Sequence, residues 1–329
     1  MFTLFSTPKP FRGEFARIQR NAMRSWVALR PQPEILVFGD EEGTAEACAE
    51  FGVRHIRTVA RGPSGAPVLS DLFQTADREA RHGLLCYVNA DIILTQDLIR
   101  VVERLDPARR GGLVVSTPVD MPVEEDVDTT RPAWDGPLRA RVQQQGKAPS
   151  RHGADVFLYP RGYFRNVPPF FIGGPHWDIW LIARGCYDLM GVDATPYCLA
   201  IHQRHAGSTH IGESSLKTKE VRLNARHMRW SNRHCGRAAL PYELNSDGRL
   251  LKRRYIRTWF ATRGYLTLRR LSPLTERVRV EAARLWGKVA SDLAPGRPDP
   301  ETPVGRESPP TGRASSGSDD SRLTTHQGR

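Results

Sequence analysis

The sequence predicts an α/β fold with a mostly parallel central sheet flanked by helices, and three observations carry that prediction. Runs that are apolar almost throughout, such as Glu34-Ile-Leu-Val-Phe38 and Leu84-Leu-Cys-Tyr-Val88, read as strands covered on both faces. Between them lie amphipathic segments of helical period, a regular alternation that belongs to α/β folds. The chain also opens with a strand, a helix and a strand, a βαβ unit whose crossover must be right-handed.

Phe2-Thr-Leu-Phe5 is the first strand, and the loop Ser6-Thr-Pro-Lys-Pro10 follows it. Glu14 to Leu29 is a helix with Phe15, Ile18, Ala22, Trp26 and Leu29 on one face, stopped by Pro31 and Pro33. After the strand 34–38, Thr44 caps a helix to Phe51, and His55–Val59 is the third strand. The loop Arg61-Gly-Pro-Ser-Gly-Ala-Pro67 leads to a helix over Leu69–Arg81, and Leu84–Val88 ends at Asn89-Ala-Asp91. A helix over 97–105 and a strand over Leu113–Ser116 close the series. Glu124 to Lys147 is polar without a clear period and reads as a flexible insertion or an acceptor-side loop. Strands return at Val156–Tyr159 and Tyr197–Ile201. Residues 1–238 thus form one domain, 239–292 a basic helical extension, and 293–329, rich in Pro, Ser, Gly, Asp and Arg, a disordered tail.

The net charge of +12 resembles a nucleic-acid signal until it is placed along the chain. Arg249 to Lys288 holds twelve Lys/Arg against two Glu. The preceding part is close to neutral, so a phosphate-tracking surface is not demanded there and no nucleic-acid partner is expected. Five cysteines without a CxxC pair suggest neither a zinc ribbon nor a disulfide framework. The N-terminus lacks the basic start and apolar core of a signal peptide, and no stretch reaches the ~18 apolar residues of a membrane span. The expected location is cytoplasmic. The basic segment 249–288, with Arg253, Arg254, Arg257, Arg269 and Arg270 among Tyr255, Trp259 and Tyr265, adds peripheral contact with the inner face of the membrane. A solvated helical cap explains the same residues equally well.

Ligands of open parallel sheets bind beyond the carboxyl ends of the strands. The polar residues there are Ser6 and Thr7, Asp40-Glu-Glu-Gly43, Arg61, and Asn89-Ala-Asp91. No GxGxxG follows the first strand, which speaks against a dinucleotide-binding oxidoreductase. Asp91 interrupts two apolar runs, where a carboxylate is costly unless paired or metal-bound, although a turn cap would also account for it. In Phe170-Phe-Ile-Gly-Gly-Pro-His-Trp-Asp-Ile-Trp180, Asp178 sits in a partly apolar wall that would raise its pKa and suit a general base. Trp177 and Trp180 offer flat faces to a sugar ring; the plainer reading is a core helix start with Asp178 facing the helix dipole. His202, in Ala200-Ile-His202-Gln-Arg-His205, is a candidate metal or phosphate ligand, with Arg204 and His205 candidates for phosphate. The three histidines 202, 205 and 210 do not follow zinc spacing, and a structural histidine is the alternative.

The order of Asp40, Asn89-Ala-Asp91, Gly153-Ala-Asp155, Trp177-Asp178 and His202 resembles glycosyltransferases of the A-type fold, near the family 2 enzymes. Lys9-Pro-Phe-Arg-Gly13, Gln19-Arg-Asn-Ala22, Phe38-Gly-Asp-Glu-Glu-Gly43 and Tyr87-Val-Asn-Ala-Asp-Ile-Ile93 are similar to segments of glycosyltransferase-like proteins of bacteria and plants. The resemblance runs from about Phe2 to His210. It implies a nucleotide-sugar-binding domain that moves a sugar from a nucleotide-diphosphate sugar to a glycan or lipid-linked acceptor hydroxyl, with inversion. It further implies a Mn2+ or Mg2+ ion on Asp91 and His202, Asp178 as catalytic base, and donor contacts from Asp40, Asn89 and Asp155. Thr7 and Arg61, from their strand-end positions, and Trp177, from its flat face, are expected to join them. Asn89 departs from the first acid of the Asp-x-Asp motif, and Trp177 from an acid beside Asp178. Those departures leave a second expectation: a degenerate relative that binds nucleotide or glycan without turnover.

Overall fold

The computed structural model describes residues 1–107, 111–205, 219–228 and 235–253, which lie within one compact unit, Met1–Leu271. Five strands build its first half: β1 (Thr3–Ser6), β2 (Glu34–Phe38), β3 (Arg54–Ile56), β4 (Leu84–Val88) and β5 (Ile92–Leu94). The remainder are β6 (Val114–Ser116), β7 (Val119–Met121), β8 (Val156–Pro160), β9 (Val192–Asp193), β10 (Ala200–Gln203), β11 (Tyr242–Leu244) and β12 (Leu250–Lys252). The helices are α1 (Gly13–Val27), α2 (Thr44–Phe51), α3 (Leu69–Glu79), α4 (Asp97–Leu105), α5 (Gly136–Gln145), α6 (Trp177–Tyr187) and α7 (Lys219–His227).

Nine strands form the central sheet in the order β12-β11-β9-β6-β8-β4-β1-β2-β3, and β5-β10-β7 form a small second sheet. The strands β4, β1, β2 and β3 run parallel, as their uninterrupted apolar character requires. One core layer lies under α1, where Trp26, Ala22 and Met23 meet Leu4, Val37 and Cys86. A second on the opposite face gathers Phe5, Phe73, Tyr87, Phe157, Tyr159 and Trp177. The mostly parallel sheet between helical layers is the predicted fold class.

Strand β8 is antiparallel to both β4 and β6, with Val88 opposite Val156. Its beginning therefore lies beside the end of β4, so Asp155 stands next to Asn89, whose amide N–H donates to the Asp155 carbonyl at 3.2 Å.

The small sheet is bound to α1 by polar side chains. Its edge strand β5 has its outer groups satisfied by the helix: Trp26 Nε1 donates to the Ile92 carbonyl at 3.0 Å, and the Leu94 N–H to Ser25 Oγ at 3.0 Å. Gln203, fully buried in β10, donates to the carbonyls of Ile18 (2.7 Å) and Asp91 (3.1 Å) and accepts from Asn21 Nδ2 at 3.1 Å. Asn21, also fully buried, donates to the Glu125 carbonyl and accepts from the Val127 N–H, both at 2.9 Å.

These contacts correct the reading of 124–147 as a flexible insertion. Its first residues are pinned to α1, Val127 and Leu138 enter a third apolar cluster with Ile93 and Ile201, and 136–145 is helix α5. The polar composition concealed an anchor made by one buried asparagine. The sheet also continues past residue 238. β11 pairs parallel with β9 and antiparallel with β12, so the described part of 239–292 is strand where helix was expected. Residues 254–329, including most of the expected helical extension and all of the expected tail, lie outside the described residues, as does His210. No helix among the described residues is long and apolar enough to cross a membrane.

Replacing Asn21 by Leu strands the Val127 N–H and Gln203 Oε1 inside the fold. At about 1–3 kcal/mol for each buried polar group left unpaired, urea unfolding of Asn21→Leu should report a loss of roughly 3 kcal/mol.

Candidate functional site

Asp91 follows β4 and precedes β5, so it stands where the large sheet hands the chain to the small one. Strand β10 lies between β5 and β7, pairing His202 with Ile92 on one side and with Asp120 on the other. This pairing brings Asp91 together with two histidines more than a hundred residues away. His202 Nε2 is 3.5 Å from Asp91 Oδ2, and His205 Nε2 is 3.4 Å from the same oxygen. One ligand atom from each of Asp91, His202 and His205 lies within 4.8 Å of the other two.

Asp120 orders the cluster from behind. Its Oδ1 meets His202 Nδ1 at 2.9 Å, which turns Nε2 toward Asp91, and Arg204 Nε donates to its Oδ2 at 3.0 Å. A carboxylate that holds the second nitrogen of a ligating histidine fixes both tautomer and ring orientation. Phe15 packs edge-on against His205 with centroids 4.8 Å apart, so α1 braces the third member.

Burial acts to raise the Asp91 pKa, but hydrogen bonds and charge from His202 and His205 outweigh it and hold the carboxyl well below the usual range. Burial acts to lower the His202 pKa, yet Asp91 and Asp120 push it up to about 9. The imidazolium thus balances the carboxylates. Asp91 Oδ1 is buried with no hydrogen-bond partner, a costly position that a cation would relieve. One carboxylate oxygen, two imidazole nitrogens and an orphaned oxygen fit a divalent metal ion.

A second group of carboxylates adjoins the first. Asn89 Nδ2 donates to Asp155 Oδ1 at 2.6 Å, while Tyr87 Oη donates to Asn89 Oδ1 at 3.0 Å. The amide at 89 therefore holds a carboxylate, which an aspartate there would repel. Burial raises the Asp155 pKa to about 7, helped by the charges of Asp91 and Asp178 against the opposing effects of His202 and Asn89. Asp178 lies in the first turn of α6, and burial raises its pKa to about 6 against the effect of the helix backbone N–H groups. A Cβ on Gly153 would fall 2.7 Å from Asp178 Oδ2, so only glycine lets this loop approach the carboxylate so closely.

Other sequence-predicted residues stand apart from these clusters. Thr7, after β1, is buried, and its Oγ1 has no partner. Asp40 is exposed at the end of β2, while Arg61 pairs with Glu41 at 2.7 Å. Gly39, at φ +109°, leaves room for Glu41, whose Oε2 would lie 2.2 Å from an added Cβ. Trp177 is not a free platform. Its indole is buried against Tyr87 (5.5 Å, edge-on) and Phe157 (5.9 Å), because the α6 face it occupies closes the second core.

The sequence reading missed Asp120 and the place of His205 beside Asp91 Oδ2. Asp120 lies in an unremarkable Thr117-Pro-Val-Asp-Met121, and only the β7–β10 register reveals its partner.

No family model matches this chain, and no curated protein sequence matches it. Among solved structures it is similar to Staphylococcus aureus TarS 1–349, with a TM-score of 0.41 and 9% identity over 61% of this chain and 60% of that one. It is also similar to the mannosyltransferase PcManGT from Pyrobaculum calidifontis in complex with GDP-Man and Mn2+, with a TM-score of 0.40 and 13% identity over 63% and 58% of the two chains. A third is glucosyl-3-phosphoglycerate synthase from Mycobacterium tuberculosis in complex with Mg2+ and UDP, with a TM-score of 0.37 and 13% identity over 62% and 72%. The match thus spans less than two thirds of the length of the first two structures. At these TM-scores and identities the likeness bears on neither family, substrate nor activity.

Losing the carboxylate behind a ligating histidine lowers metal affinity ~10–100-fold. Titration of Mn2+ by electron paramagnetic resonance should show that weakening in Asp120→Asn, with the far-ultraviolet circular dichroism unchanged.

Proposed function

We propose that this chain is a metal-assisted glycosyltransferase that moves a sugar from a nucleotide-diphosphate sugar to an acceptor hydroxyl. The observation that carries the reading is the convergence of Asp91, His202 and His205 at the carboxyl ends of the sheet, with Asp91 Oδ1 unpaired. Asp155 lies alongside, and the charge of Asp178 acts on it.

Asp91, His202 and His205 would hold the ion, with Asp120 fixing the His202 ring. Two imidazoles favour Mn2+ over Mg2+, which prefers an all-oxygen shell. A divalent cation there supplies positive charge to the diphosphate as it departs. Asp178, with its pKa raised to about 6, is ionised at neutral pH yet basic enough to accept a proton. It takes the proton of the acceptor hydroxyl as that oxygen attacks the anomeric carbon. The anomeric carbon–oxygen bond breaks, and the diphosphate leaves with the electron pair. Attack from the side opposite the diphosphate inverts the anomeric centre. Asp155, held by Asn89 and near half-protonation at neutral pH, is placed to hydrogen-bond donor hydroxyls. Thr7, Asp40 and Arg61, at the ends of β1 to β3 or just beyond, are the proposed contacts to the nucleoside. Glycan or lipid-linked molecules are the proposed acceptors.

A membrane approach through 249–288 enters this reading in reduced form. Leu250–Lys252 is a strand, and Arg253 is engaged by Asp193 at 2.8 Å and by Glu243. Arg249, Leu251 and Lys252 remain exposed.

The test is thermal unfolding with UDP, GDP, dTDP and CDP, each with and without Mn2+, on the wild type and Asp91→Ala. A nucleotide at 100 times its Kd adds ~2.7 kcal/mol, so one of the four should raise Tm only with metal and only in the wild type. No shift with any nucleotide contradicts the donor site. A shift without transfer of sugar to any acceptor supports the degenerate relative. Tight uptake of Fe2+ that no nucleotide strengthens assigns the same ligand set to iron chemistry.

Asp178 yields a separate expectation. Its raised folded pKa contributes stability that is fully present below about pH 4, near the unfolded value, and is lost as pH rises through about 6. Asp178→Asn should therefore match the wild-type Tm near pH 4, exceed it increasingly up to about pH 6, and stay level above. Transfer activity should fall by about 100-fold or more, within the range of general-base contributions.

A further inference from the structure

Asp193 ends β9 with no solvent exposure, and its two oxygens serve two separate branches. Oδ1 accepts the Thr195 N–H at 3.0 Å; Thr195 Oγ1 accepts the Thr117 N–H at 3.0 Å; Thr117 Oγ1 donates to the Gly153 carbonyl at 2.6 Å. Oδ2 takes Arg237 Nη1 at 2.7 Å and Arg253 Nη2 at 2.8 Å. Arg237 Nε then donates to the Ser150 carbonyl at 2.5 Å. One buried carboxylate thus reaches both ends of the segment 150–153.

The backbone follows the same line. The N–H groups of Arg237 and Ala238 donate to the carbonyls of His152 (3.2 Å) and Arg151 (3.3 Å), and a Cβ on Gly236 would lie 2.9 Å from the Arg151 carbonyl oxygen. A few residues on, Leu240 wedges against α6. Its Cδ2 lies 3.0 Å from the Cβ position of Gly185 and 2.4 Å from that of Gly191. Residues 236–240 therefore grip the Gly153 loop with one end and α6 with the other. Gly153 and Asp178 face each other across that span.

We propose that Arg237, seated on buried Asp193, is a positioning residue that sets the separation of the Gly153 loop from Asp178 and so shields that carboxylate. The proposal rests on the reading of Asp178 as the base, and it adds a residue that touches neither donor nor acceptor. Two half-buried arginines on one buried aspartate are costly to desolvate and add little net stability, while their geometry is strongly directional. The guanidinium suits the task because one fork meets Asp193 while Nε meets Ser150. Lysine can do only one of these at a time.

The experiment follows the carboxyl carbon of Asp178 by NMR in protein labelled at aspartate Cγ, without ligand, with the signal assigned through Asp178→Asn. In the wild type it should titrate near pH 6. In Arg237→Lys the midpoint should fall by at least half a pH unit as water reaches the carboxylate. Arg253→Lys, which perturbs Asp193 and the contact to the Arg237 carbonyl without touching residues 150–153, should leave it in place. An unchanged midpoint in Arg237→Lys overturns the proposal, as does an equal shift in both variants, which signals general loosening. If Arg237→Lys does not fold, Gly236→Ala displaces the same contact and should give the same shift; an unmoved midpoint there overturns the proposal too. Metal-dependent nucleotide binding by the wild type, measured separately, decides the functional reading independently of the titration.

Discussion

Strand β10 is the constraint on which the candidate site depends. Held between β5 and β7, it places His202 opposite Ile92 and Asp120 at once, and carries His205 to Asp91 two residues beyond its own end. A slip of one residue would turn His202 away and bring Gln203 or Ile201 to the site, because strand side chains alternate between faces. The register is locked by contacts that have no role in chemistry. Gln203 is hydrogen-bonded to Ile18, Asn21 and Asp91, and Ile201 is packed against Ile93 and Met121. Alternation along four residues therefore does two jobs: Ile201 and Gln203 fasten the strand and His202 faces the cluster.

Charge is the second organising fact. Asp91, Asp120, Asp155 and Asp178 are drawn from four separate segments, and each is treated differently by its surroundings. Imidazolium contacts hold Asp91 ionised despite burial, whereas burial prevails at Asp155, against the charge of His202, and at Asp178, and their pKa values rise. Environments that push carboxyl pKa values apart assign distinct roles to chemically identical groups. Asn89 belongs to the same scheme. As an amide it binds Asp155 at 2.6 Å without adding a fifth negative charge, so its departure from the Asp-x-Asp pattern has a use in this chain.

Much of the fold was legible because local signals are strong where the chain is apolar. The runs 34–38 and 84–88 and the face Ile18-Ala22-Trp26 left little choice of period, and each became the expected element. Asp91, Asp178 and His202 stood out for the opposite reason, as polar residues interrupting apolar surroundings, and the fold brings His202 to Asp91. Short strands with mixed composition were not. β7 is three residues long with an aspartate at its centre, and it is a strand only because β10 pairs with it. Segment 124–147 was misread for the same cause: its order comes from Asn21, more than a hundred residues away in sequence. An aromatic beside a candidate base can serve ligand contact or core packing, and the Trp177 indole packs on Tyr87 in the core.

The central claim is that Asp91, His202 and His205 jointly hold a metal ion that receives the donor's diphosphate. Pulsed electron paramagnetic resonance of Mn2+ bound to the full chain tests it most directly. The account expects nitrogen couplings from two imidazoles, one of which disappears in His205→Gln, and a phosphorus coupling once the stabilising nucleotide diphosphate is added. Bound Mn2+ without nitrogen coupling would contradict the ligand set. Nitrogen coupling with no phosphorus coupling, at a nucleotide concentration that saturates the protein, would contradict the donor site.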